Sequence, residues 1–263
     1  MLYHINYKLG GCFAWKFFII SCFFILTYFA SGQDIDKYKN VNWRIYHQLN
    51  FTDYIDVNSD EWKNISQMCK KELLQIPKSE LKQMSTRELI EAYINCAFTR
   101  SFFLYSEVDE YYKQLGRGFN GVNELINRTD VTNEVINYYV SLDPKSNSVS
   151  TSGIEAPCQI QFLEYLIGNP GLVERFDLEQ LRLVISELIK KYEIKKGAIQ
   201  HIYIDSIGSN IYAISKLLCR SETGKQKELF ILEGINTLYQ TGRLPNDKID
   251  SQIINLANDF IGN

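Results

Sequence analysis

From residue 59 almost to the end of the chain, apolar positions recur three and four residues apart. That spacing puts one apolar stripe on one face of an α-helix. Ser59 can open a helix to about Gln75, with Trp62, Ile65, Cys69 and Leu73 on one face, and Pro77 ends it. Ser85 with Glu88 three residues later forms a capping box, in which hydroxyl and carboxylate satisfy each other's orphan amides. Leu89, Tyr93 and Cys96 follow at helical spacing. "VDEYYKQL", "NGVNELINR" and "TDVTNEVINYYVSL" predict three further helices. "DPKSNSVSTSG", residues 143–153, carries the Ser, Pro, Asn and Gly of a loop.

Pro157 suits a helix start, and Gly168, Pro170 and Gly171 stop that helix. "DLEQLRLVISELIKKYEIKK" has the strongest stripe, at Leu181, Val184, Ile185, Leu188 and Tyr192, with Asp177 as cap and Gln180 three residues on. Lys190, Lys191, Lys195 and Lys196 fall in its last turns, where cations suit the helix dipole. "SIGSNIYAISKLLCR", "KQKELFILEGINTLYQTG" and "NDKIDSQIINLANDFIG" predict three more helices. "IQHIYI", residues 199–204, alternates weakly and reads as helix or connector, because a lone strand has nothing to pair with.

The pattern predicts an all-α fold of about nine or ten helices, stacked in pairs as an irregular α-solenoid or a helical bundle. Residues 89–103 and 162–176 align at an offset of 73, with Glu91 on Glu164, Ile94 on Ile167 and Phe103 on Phe176. Such similarity is how stacked helix pairs with a shared period begin to look.

The first 58 residues break the pattern. Lys8 and Lys16 precede an apolar run at residues 17–30, and Ala30 and Gly32 are small residues placed for cleavage before Gln33. A basic start, an apolar run and a small-residue site make a signal peptide. The run is short for a membrane span. A retained anchor and lipidation at Cys22, from the lipobox-like "IISC", are the alternatives. The expected organisation is a signal peptide at 1–32, an arm at 33–58, a helical subdomain at 59–142, a loop at 143–156 and a second helical subdomain at 157–263. No membrane span is expected once the signal is removed.

Charge and composition narrow the chemistry. The net charge is −3, with 45% hydrophobic and 13% aromatic residues. A mildly acidic chain gives no reason to expect nucleic acid as a partner. Four cysteines follow the signal: Cys69, Cys96, Cys158 and Cys219. An even number in an exported chain permits two disulfides; the other reading is buried thiols. Without C-x-x-C, and with only His47 and His201 after the signal, zinc is not expected. Cys158 with His201 could make a nucleophile and base, but no motif surrounds them. No G-x-S-x-G appears, and no cofactor is expected.

In the stretch "QLGRGFNGVNEL", Gly116, Gly118 and Gly121 reproduce G-x-G-x-x-G. A dinucleotide fingerprint must follow a buried strand, and "SEVDEYYKQL" is charged and helical in spacing. These glycines therefore read as structure. Gly116 or Gly118 would end a helix in the left-handed conformation, Phe119 would plug the junction, and Asn120–Gly121 would turn into the next helix.

The segment 84–130 also carries a resemblance. Met84, Ser85, Thr86 and Leu89, then Phe119, Asn120, Gly121, Glu124, Leu125, Arg128 and Asp130, resemble the pattern of exported all-helical proteins from Bacteroidetes-type and related gut anaerobes. The resemblance implies an exported helical fold and a bacterial host, and transfers no catalytic residue. The expectation is a non-enzymatic binding or scaffolding protein of the cell envelope, with a protein or an envelope polymer as partner. A hydrolase acting on envelope or dietary polymers is the alternative.

Overall fold

The computed structural model describes residues 75–96, 99, 105–146, 155–197, 204–246 and 248–262. The signal segment, the arm, all but the last residue of the helix expected at 59–75, Cys69 and both histidines, His47 and His201, lie outside the described residues, as does most of 199–204. Twelve α-helices are present among the described residues, and the fold is all-α.

The helices form a series of hairpins. Their first helices are α2 (Thr86–Asn95), α5 (Val131–Ser141) and α8 (Leu178–Gly197), with α10 (Gln226–Phe230) and α11 (Ile235–Thr241) taking that place in the last unit. Their second helices are α3 (Val108–Gly118), α6 (Ala156–Ile167), α9 (Ile204–Leu218) and α12 (Ile249–Gly262). A short segment precedes each unit: α1 (Lys78–Leu81), α4 (Asn120–Asn127), α7 (Pro170–Val173) and a 3-10 turn at Ser221–Thr223. Equivalent hairpin helices start 45 to 48 residues apart, and the short segments less regularly, a spacing at which each pair buries its apolar face against the next. The expected offset of 73 is not this period. It pairs α2, a first helix, with α6, a second one, and reflects their shared apolar composition.

The units are joined the same way each time. Arg128 donates from Nη2 to the carbonyl of Leu81 at 2.8 Å, at the end of α1. Arg175 donates to the Ile126 carbonyl near the end of α4. Arg220 donates to the Val173 carbonyl at 3.0 Å, at the end of α7, and to Phe176. The sequence separations to the helix ends are 47, 49 and 47 residues. Each guanidinium covers carbonyls that a helix end leaves unbonded, with a charge that complements the dipole. First helices are also tied laterally. Thr86 donates to Asp130 at 2.5 Å, and Gln180 donates to Asn133 at 2.8 Å.

The array closes on itself. α9 is the central helix, packed by α6, α8 and α12, and α11 of the last unit reaches α3 of the first. Tyr93, Tyr111, Tyr139, Tyr192, Tyr212, Phe119 and Phe176 are the largest apolar side chains fully buried in this core.

Local signals explain most helix ends. The Ser85–Glu88 capping box is formed, with the Glu88 amide donating to Ser85 Oγ and the Ser85 amide donating to Glu88 Oε2. Asp177 and Gln180 make the same reciprocal pair at the start of α8. The segment expected as one helix from Lys225 to Gly242 is two, because Gly234 turns with φ of 88° between α10 and α11.

The glycine motif does not end α3 as its spacing suggests. α3 runs through both Gly116 and Gly118, and neither has a positive φ. The chain leaves α3 at Phe119, an extended residue with φ −144° and ψ 107°. Phe119 is fully buried, as expected of a plug, and its ring lies on Gly121. A Cβ on Gly121 would stand 2.3 Å from Phe119 Cζ. Gly121 therefore serves close approach, not a left-handed backbone. Asn120 anchors the preceding segment. Its side-chain amide accepts from the Ile76 backbone at 2.9 Å and donates to the Ile76 carbonyl at 2.8 Å. Gln75 donates to the Gly118 carbonyl at 2.5 Å.

An ordinary helical Gly→Ala change stabilises by about 1 kcal/mol. Gly121→Ala is expected to do the reverse, losing roughly 1–3 kcal/mol through overpacking against Phe119. Thermal unfolding monitored by far-ultraviolet dichroism decides the sign; an unchanged or raised Tm contradicts close packing of the Phe119 ring on Gly121.

Candidate functional site

The most concentrated chemistry lies where α5, α6, α8 and α9 meet. Nearly every residue of α6 is buried, so Glu164 has no route to solvent along its own helix. A carboxylate in that position must be paired and hydrogen-bonded. Lys195, on α8, donates to both Glu164 oxygens at 2.7 Å. Both side chains are 0% exposed. Tyr139 of α5 donates to Glu164 Oε1 at 2.8 Å. From α9, Ser209 donates to Oε2 at 2.6 Å and Asn210 donates to Oε1 at 2.9 Å. Asn210 also donates to the Leu188 carbonyl at 3.0 Å, and its Oδ1 is buried with no hydrogen-bond partner.

One turn along α8, Lys191 donates to the Leu142 carbonyl at 2.5 Å, with its ammonium 4.9 Å from the Tyr139 ring centre. Burial lowers the pKa of both lysines, and the Glu164 charge opposes that shift. Burial also pushes the Tyr139 phenol well up, and the Glu164 charge adds to it.

A carboxylate has about four lone-pair sites, and Glu164 accepts from four different side chains. It has none left to take a proton from a substrate, and no solvent path to one. The hub is arranged to hold four helices in register. Tyr139 precedes the 143–153 loop and Glu164 follows it, so the hub spans the two subdomains expected from sequence.

The lysine cluster is thereby corrected in half. Lys190 and Lys196 are exposed, as a helix-end reading requires, but Lys191 and Lys195 are buried. The sequence does carry the signal. The stripe Leu181, Val184, Ile185, Leu188, Tyr192 continues at the same spacing to Lys191 and Lys195. Glu164 stands inside the apolar run "IQFLEYLIG". Two buried lysines on one stripe and one acid in an apolar helix imply that they meet.

A second group lies on the seam of α3, α9 and α11. Lys216 sits with its ammonium 4.2 Å from the Tyr239 ring centre and 5.3 Å from that of Tyr212. Tyr239 donates to the Ser215 carbonyl at 3.2 Å, and Tyr112 donates to the Tyr165 carbonyl at 2.6 Å. The buried Tyr212 hydroxyl meets that of Tyr112.

Cys96, Cys158 and Cys219 form no disulfide with one another. Cys96 is buried beside Tyr93, and the other two are half-buried. Gly116, Gly118, Phe119, Asn120 and Gly121 come together at the α3–α4 junction, where they pack and anchor the chain. No group of three or more metal-ligating side chains occurs among the described residues. None of the described helices is long and apolar enough to cross a membrane. Comparison with protein families, with characterised proteins and with solved structures finds no match.

Proposed function

We propose that the chain is an exported, non-enzymatic helical binding or scaffolding protein of the bacterial cell envelope, with a protein or an envelope polymer as its partner. One observation carries the reading. Phe230 and Ile231, adjacent residues at the end of α10, are 54% and 83% exposed on an array whose buried charges are committed to packing. Stacked helix pairs commonly present extended surfaces to partners, and large apolar side chains exposed side by side favour association. The leader-like N-terminus and the resemblance of residues 84–130 to exported proteins support the location.

Envelope fractions passed over the immobilised chain are expected to leave a saturable retained component. Phe230→Glu/Ile231→Glu, with unchanged helicity, is expected to lose it. A chain that retains nothing, or that releases soluble products from envelope polymer, contradicts the proposal.

A further inference from the structure

We propose that residues 224–242, which carry α10 and α11, form a hinged strap that opens the array where its last unit meets its first. Three observations carry this. First, the backbone is left-handed at Gly224, Gly234 and Gly242, with φ of 68°, 88° and 66°, and nowhere else among the described residues. These glycines bracket α10 and α11 and divide one from the other. Glycine crosses between left- and right-handed backbone without the cost that a Cβ imposes, so each position can act as a swivel. Second, the strap is lightly held. One residue of five is buried in α10 and two of seven in α11, against eleven of twelve in α6. Segments that bury little apolar surface open locally, well below the free energy of global unfolding. Third, the strap makes the closure. α11 reaches α3 of the first unit and also packs on α9.

The closed position is held on α9 at two places. Tyr239 donates to the Ser215 carbonyl at 3.2 Å, with the Lys216 ammonium 4.2 Å from its ring centre. Gly208 lets the strap backbone come close, since a Cβ there would stand 2.9 Å from the Gly242 carbonyl oxygen. Near the first swivel, Lys225 pairs with Asp259 of α12 at 3.8 Å. Asp259 is exposed, and water screens such a pair. Release takes α11 off α3 and α9, uncovers the Lys216 side chain and parts the last unit from the first. Phe230 and Ile231 travel with the strap, so a partner held there would bias its position. That consequence rests on the function proposed above, whereas the opening belongs to the chain alone.

Amide hydrogen exchange of the full chain, with no partner present, tests the strap. The Leu229, Leu238 and Gly242 amides donate to the Lys225, Gly234 and Leu238 carbonyls at 3.0, 3.0 and 2.8 Å, so their exchange reports opening. They are expected to share one protection factor, at least about a hundredfold below that of buried amides in α6 and α9. Two variants separate a strap from a generally weak fold. Gly224→Ala adds a methyl that meets nothing within 4 Å, so it disturbs only the left-handed backbone. Gly208→Ala favours the helix of α9 while its methyl crowds the Gly242 carbonyl. Each is expected to speed exchange of the three amides roughly tenfold, from a left-handed alanine in one and an overpacked contact in the other. The α6 amides are expected to keep their rates. Far-ultraviolet dichroism checks that each variant is folded. A strap as well protected as α6 and α9, or folded variants that leave it unchanged or speed exchange equally throughout the chain, overturn the proposal.

Discussion

Lys195→Met is expected to be the most damaging single change in the chain, costing about 3–5 kcal/mol by leaving Glu164 charged and buried without its counter-ion. For a domain of this size that corresponds to a fall in Tm of roughly 10 °C. Both partners are fully buried, and Nζ contacts both carboxylate oxygens at 2.7 Å. Methionine fills nearly the same space, so the loss reports charge and not a cavity. Glu164→Gln alone leaves the buried Lys195 ammonium without its counter-ion and is expected to cost a similar amount. The double variant Glu164→Gln/Lys195→Met restores neutrality and is expected to recover more than half of the loss. Denaturant unfolding of the two single variants and the double variant gives the coupling directly. Purely additive effects would mean that the pair does not act as a unit.

Alkaline pH is the second large perturbation. Tyr93, Tyr111, Tyr112, Tyr139 and Tyr212 all have phenols raised above the ordinary value of 10.0, chiefly by burial. A raised folded-state pKa gives stability that is whole below pH 10 and is lost as pH climbs toward the folded value. Each tenfold preference for the protonated phenol in the folded state is worth about 1.4 kcal/mol, so several such groups titrating together are comparable to the stability of a typical domain. Lys195 works in the opposite direction. Its lowered pKa makes stability rise with pH, but only up to the usual lysine value of 10.5, so it cannot offset losses above that. Tyrosinate absorbance should first show only the exposed phenols, then rise cooperatively as helicity collapses. A complete tyrosinate signal in the ordinary phenol range, with helicity intact, would contradict the buried tyrosine core.

The fold is largely legible in the sequence because helices announce themselves locally. The Ser85–Glu88 box, the Asp177–Gln180 pair and the α8 stripe are short-range signals, and each is formed as read. The hairpin spacing is not legible, since it is written in three arginines. Arg128, Arg175 and Arg220 read as ordinary surface charges until their carbonyl partners, more than forty residues back, are known. Gly121 is structural, but for a different reason than its sequence suggests. The motif points to a special backbone, whereas the requirement is room for the Phe119 ring. The Glu164 hub is legible only in part: Lys191 and Lys195 continue the apolar stripe of α8, but terminal lysines also serve the helix dipole. Burial is decided by which neighbour lies across the helix, and that information is nonlocal. The Lys216 seam has no sequence signature, since it depends on α11 folding back toward α3.

The central claim is that the buried charges hold the fold while the exposed surface carries the function. The most direct test is envelope retention by the Glu164→Gln/Lys195→Met double variant, measured beside the unmodified chain. A folded double variant that retains the same envelope component to the same extent is the predicted result. A folded double variant that has lost retention would contradict the claim and make the Glu164 hub the functional site.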